Sequence, residues 1–260
     1  MSFRNIDTKA LARFNSSTSA ALLDMIHDQQ MKDNLDSADQ IKSKTFAPSS
    51  LRCHRLQWFR LRGTKPDTSP KLDTALDFTA MIGTACHEYI QSIISRIPGI
   101  KWVDVEDRLS SIYDKSYYSC VRSGYETRVS LCSPPVNFAC DGLIEFQGKL
   151  YLVEIKTCEL RSFEGLHGPK PQHVSQIQCY STLLCVSNVL VIYVDRQYGN
   201  MKCYELHISE KDQQTMNSTF TTILDCVDTN LAPDPLPKGD TWCTSSMCPY
   251  YFTCKEYGKL

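Results

Sequence analysis

Residues 140–157 read CDGLIEFQGKLYLVEIKT. Two short apolar runs flank Gln147-Gly148, the only good turn signal in the stretch, which reads as a two-residue hairpin loop. Asp141, Glu154 and Lys156 are set into those apolar runs. With the turn at 147–148, Phe146 faces Lys149, 145 meets 150, 143 meets 152, and Asp141 meets Glu154. Directly opposed Cβ atoms lie about 5 Å apart, so two carboxylates placed this way repel. Partial burial raises the cost further. A divalent cation between them reverses the sign of that argument, and hard cations such as Mg²⁺ take oxygen ligands while keeping several waters.

Strand side chains alternate, so Glu154 and Lys156 share one face, while Tyr151, Val153 and Ile155 take the other, toward the core. Asp141, Glu154 and Lys156 then converge on one patch. A cation there polarises a phosphoryl oxygen and lowers the pKa of a bound water. The lysine holds that water or stabilises the charge developing on the phosphate. This is chemistry suited to phosphodiester hydrolysis. A bare Glu-x-Lys triplet is more often a surface pair of little energetic value. Asp141 placed across from it favours an active site.

Other residues carry chemistry at usable spacings. His87 lies in GTACHEY, one turn after Gly83. A neutral imidazole is a fair ligand for Mn²⁺. Gln176 and Tyr180 are four apart on an expected helix and share a face, with His173 one turn earlier as a weaker candidate for the same groove. Thirteen cysteines are many for 260 residues, and most sit in apolar periodic segments as small buried hydrophobes. Cys243, Cys248 and Cys254 differ: they crowd a short polar tail, with Pro249 directly after Cys248. With Cys53 they make a four-thiolate set that suits either zinc or an iron–sulfur cluster. Arg52, Arg55, Arg60, Arg62 and Lys65 form a basic run interleaved with Trp58 and Phe59. Such a run is either a solvated face or a track for a phosphate backbone with an aromatic for base stacking.

The elements that must position these groups follow from periodicity. Residues 77–97 repeat apolar side chains at helical spacing, with Pro98 ending the run. Residues 125–131 alternate as a strand ahead of the hairpin. A loop at 158–172, a helix at 173–187, a hairpin at 188–209 turning at Tyr198-Gly199-Asn200, and a helix at 210–231 complete the pattern. The expectation is a mixed α/β domain over 46–260 with helices packed on a central sheet. Residues 1–45 form a separate polar segment with one helical stretch and no evident chemistry.

Composition bounds the rest. A chain of 260 residues has room for a substantial core, and 42% hydrophobic with 22% charged residues is ordinary for a globular protein. Net charge is −1, so no whole-chain field advertises nucleic acid, and any DNA-binding surface must be local. No apolar run reaches membrane-spanning length and the N-terminus lacks a signal-peptide core, which points to the cytoplasm. In a reducing compartment the cysteines are not expected to form a disulfide framework.

Taken together these motifs resemble the PD-(D/E)XK nuclease superfamily. CDG is similar to its aspartate motif and VEIKT to its Glu-x-Lys motif. GTACHEY resembles the histidine helix of the RecB-like branch, and QIQCY its Gln-x-x-x-Tyr helix. The split cysteine set resembles the iron–sulfur clasp of AddB-type and CRISPR-associated exonucleases, although Cys243 and Cys248 are separated by four residues where the family often has two.

The resemblance covers residues 47–256 in the family's motif order. It implies a restriction-endonuclease-like α/β core with a clasp joining its two ends. Asp141, Glu154, His87 and the Ile155 carbonyl would bind Mg²⁺ or Mn²⁺, and Lys156 would position water. Gln176 and Tyr180, with Arg52, Arg55 and Arg60, would contact DNA. Cys53, Cys243, Cys248 and Cys254 would ligate a 4Fe-4S cluster, with zinc as the alternative. The implied activity is a metal-dependent DNA exonuclease acting at single-stranded ends. It suits phage DNA processing in a host cytoplasm, recombination and repair, or CRISPR adaptation beside a partner protein. The rival classes are a non-catalytic DNA-binding module and a zinc-clasped interaction protein.

Overall fold

A computed structural model describes residues 20–26, 28–29, 44–67 and 74–257. Most of the 1–45 segment therefore lies outside the described residues, although 20–26 and 28–29 are helical, within the stretch expected from sequence.

The turn at Gln147-Gly148 forms as its chemistry demands. Both residues take left-handed backbone (φ 50° and 73°), as a tight hairpin turn between twisted strands requires. It joins β5 (Gly142–Phe146) to β6 (Lys149–Cys158), with Phe146 opposite Lys149 and Leu143 opposite Leu152. Around that pair runs a five-stranded mixed sheet in the order β1-β5-β6-β7-β8, where β1 is Ile100–Val103, β7 Asn188–Asp195 and β8 Met201–His207. Only β6 and β7 are parallel, and the connection between them carries two helices, α4 (Leu160–Glu164) and α5 (Pro171–Leu184). A smaller antiparallel sheet holds β2 (Tyr118–Ser123), β3 (Glu126–Cys132) and β4 (Pro135–Cys140).

Helices cover both faces of the large sheet. On one, Ile90 and Ile94 of α2 (Thr74–Ile94) pack on Ile144, Val153 and Ile155. On the other, Ile177, Leu183 and Leu184 of α5 pack on Leu143, Leu152 and Val191, with Phe220 and Ile223 of α6 (Glu210–Asp228) behind them. The face that carries Glu154 is thus as covered as its opposite, which the alternation in β6 did not reveal. Glu154 is 2% exposed. α3 (Val105–Ser110) lies between β1 and the small sheet, capped at its start by Asp104.

The first and last parts of the described chain are joined. Helix α1 (His54–Leu61) packs with α7 (Tyr251–Tyr257): Phe59 stacks on Tyr250 at 5.2 Å, and Trp58 meets Tyr257 edge-on at 5.3 Å. Asp67 accepts backbone N–H groups of Phe252 and Thr253 at the start of α7. Among the described residues no helix is long and apolar enough to cross a membrane.

Candidate active site and cysteine cavity

β5 ends at Gly142, opposite Val153, so Asp141 leaves the ladder one step before it would pair with Glu154. Its side chain then fills the place of the missing strand. Asp141 Oδ2 accepts the Ile155 backbone N–H at 2.7 Å, so the two acids still meet. A strand residue sends its N–H and C=O to the same side, so the Ile155 carbonyl opens into the same gap. Asp141 Oδ1 lies 3.1 Å from His87 Nδ1, and the Asp141 carbonyl accepts from Gln91 Nε2 at 2.6 Å. Gln91 is 1% exposed and one turn after His87 on α2. Sequence reasoning passed over it, although a polar side chain four residues from a candidate ligand, on the buried stripe of an amphipathic helix, was a usable signal.

Two glycines permit this approach. A Cβ on Gly142 would lie 2.6 Å from the Trp102 ring, which covers this position from β1. A Cβ on Gly83 would come within 3.4 Å of Thr157 Oγ1, so α2 sits close against β6 one turn before His87.

On the α5 side, Lys156 Nζ is 2.6 Å from Glu154 Oε1 and donates to Gln176 Oε1 at 3.1 Å. Gln176 Nε2 donates to Glu154 Oε1 at 3.1 Å and to the Tyr180 hydroxyl at 2.8 Å. One Glu154 oxygen is therefore held twice. The other, Oε2, is buried with no partner. Burial pushes the Glu154 carboxyl well above the carboxylate range, opposed by Lys156 and reinforced by Asp141. For His87, burial alone would depress the imidazole, but the bond to Asp141 and the charges of Asp141 and Glu154 outweigh it and the net shift is upward.

The residues expected at the catalytic centre, His87, Asp141, Glu154, Ile155, Lys156 and Gln176, are brought together. Tyr180 is not placed to contact DNA: it is 4% exposed and stacked on Phe138 at 4.9 Å, so its role here is to hold Gln176. The basic run is also not the surface track it resembles. Arg55 is buried and donates to the Pro233 carbonyl at 2.6 Å. Trp58 and Phe59 are core, and Trp58 Nε1 donates to the Cys226 carbonyl at 2.9 Å. Arg52 is ion-paired to Asp240, and Arg60 reaches toward the Thr45 carbonyl at 3.4 Å. Arg62 lies over the Trp58 ring at 4.3 Å. Arg52 and Arg55 join the first part of the described chain to its last part, through acceptors 188 and 178 residues away, while Arg60 and Arg62 find theirs nearby.

That junction encloses a cavity of about 210 Å³ lined by Cys53, Cys243, Cys248 and Cys254, beside Leu56, Phe59 and Tyr250. The four thiols are near enough to affect one another. Burial first, then Cys254 and Cys243, raises Cys53, and Cys248 is pushed up to about 11 by burial with help from the other three. Among the described residues, no group of three or more His, Cys, Asp or Glu side chains stands in a ready-made coordinating arrangement. The donors nonetheless suit the groups expected. A partnerless buried carboxylate oxygen beside a second carboxylate and an imidazole is what a hard divalent cation would satisfy. Four thiols lining one largely apolar cavity are the donor type that a cluster or zinc would take.

The chain matches no family model and no curated relative. Among solved structures it is similar to the crystal structure of SSO0001, at 14% identity and a TM-score of 0.48, over 88% of this chain and 94% of that one. At that identity and score the likeness assigns neither fold family nor activity.

Proposed function

We propose that this chain is a metal-dependent DNA exonuclease of the RecB-like kind, built on a restriction-endonuclease-like core and acting at single-stranded ends. The observation that carries the reading is Glu154: one oxygen is fixed by Lys156 and Gln176, and the other is buried without a partner beside Asp141. An unsatisfied buried carboxylate oxygen costs on the order of 1–3 kcal/mol or more, and folds keep such costs where a ligand relieves them. Asp141 and Glu154, with His87 and the Ile155 carbonyl, would hold Mg²⁺ or Mn²⁺. When bound, the cation supplies Lewis acidity at the phosphoryl group.

The protein groups do the rest. An ammonium has three N–H donors. Lys156 directs one to Glu154 and one to Gln176, which leaves the third for the attacking water or a phosphate oxygen. Gln176 keeps the carboxylate and the ammonium in register, and Tyr180 keeps Gln176 in place. Gln91 and the Ile155 N–H hold Asp141 from its backbone and side-chain ends. The four cysteines would ligate a 4Fe-4S cluster that ties the two chain ends together, a structural role. Zinc is the alternative occupant.

The test is cleavage of end-labelled single- and double-stranded DNA with Mg²⁺, Mn²⁺ or EDTA. Wild type should release short products with a divalent cation and none in EDTA, and Glu154→Ala and Lys156→Ala should be inert. Intact DNA under every metal, or equal cutting by the variants, removes the nuclease reading.

A further inference from the structure

The row of side chains that α5 lays over the sheet does not stop at Gln176. Tyr180, Gln176 and His173 follow one another at spacings of four and three, along one face of the helix. Beneath them lie Glu154, then Lys156, then Tyr193, the β7 residue paired with Lys156 across the parallel ladder. His173 Nδ1 lies 2.7 Å from the Tyr193 hydroxyl, with the two rings stacked at 5.6 Å. Tyr193 is fully buried, and its oxygen also accepts the Lys170 backbone N–H at 3.0 Å.

Proton counting fixes what this arrangement leaves free. The Tyr193 oxygen takes its hydrogen bond from Lys170, and a buried hydroxyl proton needs an acceptor. His173 Nδ1 is the acceptor at hand, so Nδ1 is bare and the proton of the neutral ring sits on Nε2. The imidazole is kept neutral: burial, then the charges of Lys156 and Lys170, press its pKa down to about 4. His173 is only half-buried, and Nε2 has no partner among the described residues. The result is a tethered ring whose outer edge is an N–H donor, beside two cations, next to the proposed reaction centre. The two neighbouring lysines, Lys156 and Lys170, also draw anions toward the ring.

We propose that His173 is a further substrate-contacting residue, whose Nε2–H donates to a phosphate oxygen of the bound DNA strand while Tyr193 holds its tautomer and orientation. The inference deepens the nuclease reading and rests on it for the identity of the strand. The donor serves binding and alignment; no proton is transferred.

Two isosteres separate this role from a purely structural one. Asn places its amide near the imidazole Nδ1 and keeps the tether to Tyr193. Gln reaches the Nε2 position and keeps the outer donor. Binding of a short terminally phosphorylated oligothymidylate, measured by fluorescence anisotropy in EDTA, reads the contact without cleavage. Wild type and His173→Gln should bind alike, while His173→Asn and His173→Ala should bind about ten- to a hundredfold more weakly, the scale of one hydrogen bond to a charged group. Thermal stability should follow the opposite order, with Asn retaining more than Gln.

Long-range nitrogen–proton NMR of wild type should show His173 protonated at Nε2 alone, and that preference should vanish in Tyr193→Phe. Binding that is equal across all variants, lost in Gln as much as in Asn, or undetectable in wild type overturns the proposal, as does an Nδ1-protonated ring. Failure of the nuclease reading looks different: DNA stays intact with every metal while the Gln and Asn variants still separate in EDTA.

Discussion

The backbone N–H of Ile155 donates to Asp141 Oδ2 at 2.7 Å, so the first acid is fixed to the strand that carries the second and not to a ladder of its own. β5 stops at Gly142, and the gap it leaves is where the Asp141 carboxyl, the His87 ring and Glu154 come near each other. The separation of the acids is then set by one strand and one hydrogen bond. That makes the site stiff, and its strain is electrostatic and removable.

The strain has a sign that pH reveals. In metal-free protein, burial holds the Glu154 carboxyl above its ordinary 4.5, to about 7, with Lys156 opposing and Asp141 reinforcing. The folded state thus keeps this proton where the unfolded chain has lost it. Its contribution to stability is complete below about pH 4.5 and declines as pH rises to about 7. Relative to wild type, Glu154→Gln, uncharged at any pH, should therefore gain stability in EDTA as pH rises from about 4.5 past neutrality, by roughly 1–3 kcal/mol. The gain should shrink when Mg²⁺ is added to wild type. Urea midpoints across pH measure it. A variant that gains nothing on wild type as pH rises would show that Glu154 is well satisfied as it stands.

Gln176 and Tyr180 separate positioning from packing. Gln176→Ala removes the amide between Glu154 and Lys156, and cleavage should drop by about ten- to a hundredfold in kcat with KM nearly unchanged. Tyr180→Phe removes only the hydroxyl and keeps the stack on Phe138, so it should cost about 1 kcal/mol of stability and less than tenfold in rate. A Tyr180→Phe defect as deep as that of Gln176→Ala would place the phenol in the chemistry after all.

These contacts also show what the sequence could reveal. The hairpin register was legible because a two-residue turn and a period of two leave one solution, and the ladder follows it as far as Gly142 opposite Val153; the expected pairing of Asp141 with Glu154 does not form, and the side chain of Asp141 reaches the Ile155 N–H instead. The helices around His87 and Gln176 were legible from their apolar spacing. The basic run was not, because the partners that bury its arginines, Pro233 and Asp240, lie 178 and 188 residues away. Nor were β1 and β2: short and half exposed, they carry little alternation, and β1 is held by pairing to β5. Tyr180 reads the same whether it faces a groove or a core. Only the approach of Phe138 from the small sheet decides it.

Gly142 tests how closely the site depends on packing from β1. An alanine there would put its Cβ 2.6 Å from the Trp102 ring, which also meets Tyr125 edge-on at 5.4 Å. Either the indole or the strand end bearing Asp141 must shift. Gly142→Ala should lose about 1–3 kcal/mol and a substantial part of kcat. Trp102→Leu opens the space, so the double variant should recover activity relative to Gly142→Ala alone, a coupling between residues in contact. Independent, additive effects would mean that the ring yields without disturbing Asp141.

The cysteine cavity is judged by colour and heat. Its walls are joined by contacts that need no metal: the Phe59–Tyr250 stack, the Arg52–Asp240 pair and the Asp67 cap on α7. Removing a ligand should therefore loosen the junction without unfolding the sheet. Anaerobically purified wild type should be brown, and Cys248→Ser colourless with a Tm lower by about 5–10 °C, the scale of ~2–3 kcal/mol in a chain of this size. Cys203→Ser, at an exposed thiol of β8 outside the cavity, should keep both colour and Tm. Colourless wild type containing stoichiometric zinc would retain the four-thiolate site and replace its occupant. Wild type with neither iron nor zinc, and a Cys248→Ser variant that melts with it, would make these free thiols. The tail would then be held by aromatic and polar contacts alone.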